Sequence, residues 1–122
     1  MKFDLYQIRL SAADVDAVNS GELCEKHDFK VRMMMDFRGT KIGGFASEAF
    51  NVNLYTKVAT ITAEDYDDAF EVGNIGPESQ IERYGRMSSV SVGDVLVAED
   101  GTVAVVANIG FVAFAHRPEL AA

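Results

Sequence analysis

The dipeptide Asp100-Gly101 lies between two valine-rich runs, Val95 to Ala98 and Val103 to Ala107, and a third apolar run, Phe111 to Phe114, follows Gly110. An Asp-Gly pair flanked by such runs is a strong local hairpin signal. Glycine reaches the positive φ that a tight turn between twisted strands demands, and the aspartate side chain can bond the turn backbone. The end of the chain is therefore expected to be three short antiparallel strands, and any fold must supply them with partners and a core.

The remainder of the chain supplies further strands and some helices. Phe3 to Leu10 reads as a strand, with Phe3 and Leu5 on one face and Tyr6, Ile8 and Leu10 on the other. The phase change near Leu5 and Tyr6 indicates a bulge or a strand buried on both sides. Ser11 is placed to cap a helix, with Asp14 completing a capping box, Ala12, Val15 and Val18 on one face and Gly21 as terminator. Phe29 to Phe37 fits two patterns. Its strict apolar–polar alternation favours a strand, which is the expectation, whereas three consecutive methionines and the i, i+4, i+8 spacing of Phe29, Met33 and Phe37 suit a helix. Arg38 to Gly44 is glycine-rich and reads as a mobile loop, and Ser47 to Phe50 as one helical turn. Leu54 to Thr62 is β-branched and aromatic, hence a strand. Thr62 is expected to cap a helix with Asp65 at its third position, Tyr66, Ala69 and Phe70 facing inward and Gly73 at its end. Asn74 to Gly85, with its Gly76-Pro77 turn signal, reads as an irregular connection.

Strands and helices followed by hairpins predict the α+β class. The expected architecture is a small antiparallel or mixed sheet of about five strands, two or three short helices and C-terminal β-hairpins. The 122 residues fit a single domain spanning 1–122. No apolar run is long enough to span a bilayer, and charges interrupt the first apolar stretch where a signal peptide would be continuous. Cys24 is the only cysteine, so no internal disulfide can form, and the cytoplasm is the expected compartment.

The residues with chemical potential do not assemble into a reactive constellation. His27 and His116 have no ligand spacing, and the chain has no nucleophile elbow, Walker loop or dinucleotide fingerprint. No metal, cofactor or catalytic activity is expected. Acidic residues concentrate at Glu64, Asp65, Asp67, Asp68, Glu71 and Glu78. Glu64 and Asp65 complement a helix N-terminus, while Asp67, Asp68, Glu71 and Glu78 form either a solvated face or a patch that docks on a basic partner. Cations outnumber acids between Lys26 and Lys41, namely Lys26, Lys30, Arg32, Arg38 and Lys41. They either pair with the acidic helix within the fold or flank an interaction face exposing Met33, Met34 or Met35. The net charge of −8 argues against direct nucleic-acid binding.

From Met87 the chain reads Met-Ser-Ser-Val-Ser-Val-Gly-Asp-Val-Leu-Val, followed by Glu99-Asp100-Gly101-Thr102 and then Gly110-Phe111. This run resembles the S-V-G-D-V…D-G…V…G-F module of small uncharacterised phage and plasmid proteins, including YodL-like domains. Lys57-Val58-Ala59, Ala69-Phe70-Glu71-Val72-Gly73-Asn74 and the opening Leu5-Tyr6-Gln7-Ile8 are similar to that group as well. Gly93 suits a positive-φ turn, Asp94 can bond nearby backbone, and Ser88, Ser89 and Ser91 can satisfy backbone donors. Gly110 allows a bend that inserts Phe111 into the core. The module thus reads as structural, with a ligand site at Ser89, Ser91 and Asp94 as the alternative.

The resemblance implies a phage or mobile-element origin and action by binding host machinery, in the cytoplasm of the bacterial host. It names no target. The expected function is a non-enzymatic accessory protein that binds a host or phage protein. The alternatives are an acidic DNA mimic that inhibits a restriction, repair or defence enzyme, a virion component, and an enzyme with a dispersed site.

Overall fold

The sheet is built outward from β1 (Lys2–Ile8), which pairs antiparallel with β2 (Tyr55–Thr62) on one side and β4 (Val95–Ala98) on the other. The computed structural model describes residues 1–115, and His116 lies outside them. β3 (Ile81–Arg83) extends the sheet beyond β2, while β5 (Val103–Val106) and β6 (Phe111–Ala113) continue it beyond β4. The order is β3-β2-β1-β4-β5-β6, antiparallel at every pairing. The fold is α+β, with six strands where about five were expected; the connection before Gly85 contributes β3, whereas Phe29 to Phe37 contributes no strand.

Alternating side chains of the central strands enter two separate cores. Phe3, Leu5, Leu96 and Val106 pack on one face with Ala69 and Val72 of α4 (Tyr66–Ile75). Ile8, Val95 and Val105 pack on the other with α2 (Glu25–Met34) and α3 (Ile42–Asn51). Strands buried on both faces read as near-continuous apolar runs, which is what β4 and β5 are. β1 is buried on both faces, with Phe3 and Leu5 in one core and Ile8 in the other, which accounts for its change of phase. Its pairing with β2 also shifts register, since Leu5 pairs with Ala59 but Tyr6 with Lys57, so Val58 is the extra residue on β2.

Four helices are present among the described residues, where two or three were expected. α1 (Ala12–Asn19) carries the Ser11–Asp14 capping box and is followed by Gly21 at φ +76°, but none of its residues is buried. The Phe29 to Phe37 stretch is helical up to Met34. Phe29 and Met33, one turn apart, are its buried residues, while Val31, Met35 and Phe37 face solvent, so the alternation does not correspond to a buried strand face. α3 takes in the last three residues of the expected Arg38 to Gly44 loop and extends the expected single turn, while Arg38 to Lys41 remains non-helical. Its N-terminus is satisfied by the Asp36 carboxylate, which accepts from the Lys41 and Ile42 N–H groups at 2.9 and 2.8 Å. Ile42, Ala46, Ala49 and Phe50 form its buried stripe, and Gly43 fits because a Cβ there would lie 3.3 Å from Phe114 Cβ.

α4 starts later and ends later than expected. Thr62 is still paired in β2, and Asp65 caps the helix by accepting from the Asp68 N–H at 2.8 Å. Gly73 is internal to the helix, which ends at Gly76 with φ +101°. A Cβ on Gly73 would lie 2.4 Å from Val90 Cγ2, so its role is close approach rather than termination.

Candidate functional site

The Gly93-Asp94 turn lies inside the molecule, where three parts of the fold meet. Gly93 adopts φ +93° with Met33 of α2 packed against it, and its carbonyl accepts from the Tyr55 hydroxyl at 2.6 Å. Asp94 is 4% exposed and Gln7 only 2%. Asp94 Oδ2 accepts from Gln7 Nε2 at 3.0 Å and from the Ser91 N–H at 2.9 Å. The Gln7 amide also bonds both backbone groups of Ser88, donating to its carbonyl at 2.9 Å and accepting from its N–H at 3.0 Å. One amide side chain from β1 thereby ties both ends of the Ser88–Asp94 connection to the sheet.

Burial pushes the Asp94 carboxyl up to about 6, although the Ser91 N–H, the Gln7 amide and the more distant Lys30 and Arg9 all favour its charge. Burial, with the Asp94 charge adding to it, also raises the Tyr55 phenol. The module residues bond within the fold: Ser91 supports Asp94 through its backbone N–H, while the Ser88 hydroxyl receives a bond from Arg9. Ser89 is exposed, and its carbonyl accepts weakly from Gln7 at 3.5 Å. At the hairpin, Gly101 adopts φ +93° and Asp100 Oδ1 accepts from the Thr102 N–H and hydroxyl, which lowers the Asp100 carboxyl. Gly110 adopts φ +68°, and Phe111 packs partly buried beside Tyr66 and Phe70.

The candidate acids divide into two kinds. Asp68 accepts from the Glu64 N–H at 2.9 Å and Glu78 pairs with Arg83 at 2.6 Å, so both are engaged within the fold. Asp67 and Glu71 project from exposed positions one helical turn apart on α4. The cationic segment does not neutralise them, because α2 and α4 cover opposite faces of the sheet. Lys26 instead pairs with Asp14 and donates to the Arg9 carbonyl, and Lys30 donates to the Ile8 carbonyl.

An open groove of about 610 Å³ lies where α2 turns into α3. Met35, Phe37 and Phe45 supply its apolar surface, and Arg32, Arg38 and Lys41 its charge. Phe37 is 65% exposed and Met35 62%. The neighbouring Met34 is 52% exposed, whereas Met33 is fully buried. The basic bias and the methionine run are legible in the sequence. Phe37 and Phe45 are not, because alternation puts Phe37 on a strand and Phe45 follows a glycine-rich stretch that reads as a loop.

Among the described residues no group of three His, Cys, Asp or Glu side chains could hold a metal ion, and no helix is long and apolar enough to cross a membrane. The chain matches no protein-family model, no curated protein and no solved structure.

Proposed function

We propose that the chain is a non-enzymatic accessory protein of a phage or mobile element, acting in the bacterial cytoplasm by binding a host or phage protein. One observation carries this reading. Two large apolar side chains, Met35 and Phe37, stand more than half exposed beside Phe45 in a groove bordered by arginine and lysine. Exposing such residues together forgoes the free energy of burying them, which is recovered when a partner covers them. Aromatic, methionine and arginine side chains are the types enriched at protein–protein contacts. The two groups whose ionisation is most strongly perturbed, Asp94 and Tyr55, support the same reading, since both are committed to internal hydrogen bonds.

The test is site-specific photo-crosslinking in the producing bacterium, with the crosslinker placed at Phe37 and, separately, at Glu71. A defined adduct from position 37 is expected. An adduct from position 71 alone would transfer the function to the acidic face of α4 and favour the DNA-mimic alternative. The absence of adducts at both positions would overturn the binding reading.

A further inference from the structure

We infer that the α2–α3 groove receives an acidic segment of a partner protein, anchored by a large apolar side chain. This deepens the reading above and rests on it. The charge of the groove is opposite to that of the molecule: Arg32, Arg38 and Lys41 line it in a chain of net charge −8. Asp36, the one acid among the lining residues, spends a carboxylate oxygen on the Lys41 and Ile42 N–H groups at the start of α3. Arg32 lies over the Phe29 ring at 5.5 Å, which seats its guanidinium at the edge of the helix packing. Arg38 and Lys41 are exposed.

The acidic remainder of the surface would repel an acidic partner at long range. At physiological ionic strength, however, charges separated by more than about 8 Å are largely screened. In contact, the three groove cations therefore outweigh the single Asp36 carboxylate and the more distant acids. A partner carboxylate can pair with Arg38 or Lys41 while an aromatic or branched aliphatic side chain covers Phe37 and Met35. Nucleic acid fits less well. Its affinity grows with the number of phosphates neutralised, and a groove with three lining cations in an acidic chain offers a short track.

The experiment is selection of a random linear-peptide display library on the purified protein, followed by titration of the enriched peptides against two double variants, Arg38→Glu with Lys41→Glu and Met35→Ala with Phe37→Ala. The expected peptides carry Asp or Glu around an aromatic or leucine. Their affinity falls about tenfold or more on charge reversal and weakens with added salt, and the apolar double variant loses them. All four positions are exposed, and circular dichroism of each variant verifies its fold.

Enriched peptides without acids that still require Met35 and Phe37 would sink the acidic-partner inference while leaving the binding reading intact. No groove-dependent peptide would overturn the inference, and the absence of crosslinks at positions 37 and 71 would remove the binding reading with it. Tighter binding of a labelled oligothymidylate than of any peptide would reassign the groove to nucleic acid. Sedimentation showing self-association that the apolar double variant abolishes would reassign it to a second copy of this chain.

Discussion

Gln7 and Asp94 stand 87 positions apart in the chain and meet at 3.0 Å in the interior, amide to carboxylate. The contact joins the first strand to the turn that introduces the fourth, and through Ser88 it fixes the connection between them. Each residue supplies the hydrogen-bonding partner that the other needs to be buried.

Removing the Asp94 carboxylate leaves the Ser91 N–H and the Gln7 amide without their acceptor inside the fold. Asp94→Ala is expected to lose about 2–3 kcal/mol of stability in urea denaturation, the scale of a buried unsatisfied group. A double-mutant cycle with Gln7→Ala should show coupling of about 1 kcal/mol or more. Additive losses would mean that the two residues stabilise the fold independently.

The ionisation of Asp94 has a defined sign. Its folded value of about 6 lies above the ordinary aspartate value of 3.8, so the folded state binds more protons between those limits. The contribution of Asp94 to stability is therefore greatest below pH 4 and falls as pH rises through 6, by about 3 kcal/mol in total. Asp94→Asn keeps an oxygen for both donors but cannot ionise. The difference in stability between the wild-type protein and this variant should shift in favour of the variant from pH 4 to pH 6 and level off above. A difference independent of pH would show that the carboxyl is not raised.

Two helical glycines are expected to respond to alanine with opposite signs. Gly44 of α3 is exposed, with nothing within 4 Å of the place an alanine methyl would occupy, so Gly44→Ala should stabilise by up to about 1 kcal/mol. Gly73→Ala gains the same helix propensity but drives a methyl to 2.4 Å from Val90 Cγ2. Overpacking of about 1–3 kcal/mol should outweigh the gain. Combining it with Val90→Ala should cost less than the sum of the two single losses. Thermal denaturation of the four variants beside the wild-type protein decides both points.

The acids of α4 should separate by role. Asp65→Ala removes the N-cap acceptor of the Asp68 N–H and is expected to cost about 1 kcal/mol. Asp67→Lys with Glu71→Lys alters exposed positions and should change stability by no more than about 0.5 kcal/mol per site. A large loss from the lysine pair would assign those acids a structural role.

Local signals carry much of the fold. The Asp100-Gly101 hairpin and the Ser11–Asp14 capping box are readable because each depends on residues within a few positions of one another. Phe29 to Phe37 departs from the strand that its alternation suggests. Its composition satisfies both periods, and only the packing of Phe29 and Met33 in the core selects the helix. Gly43 and Gly44 resemble a loop, yet α3 tolerates them because Asp36 satisfies its first turn and Phe114 packs close to Gly43. The groove between α2 and α3 is half legible: its cations and methionines are evident, but the exposure of Phe37 depends on where α2 ends.

By itself the sequence determined the strand-rich end, the Asp100-Gly101 turn, the Ser11–Asp14 cap and the α+β class, since backbone preference and side-chain period act over short distances. Tertiary structure decided which face of the sheet each helix covers, that Gln7 meets Asp94, and that the basic and acidic segments lie apart. Those outcomes depend on which surfaces remain to be buried once the strands have paired, and that competition among distant segments leaves no mark in any single stretch of chain.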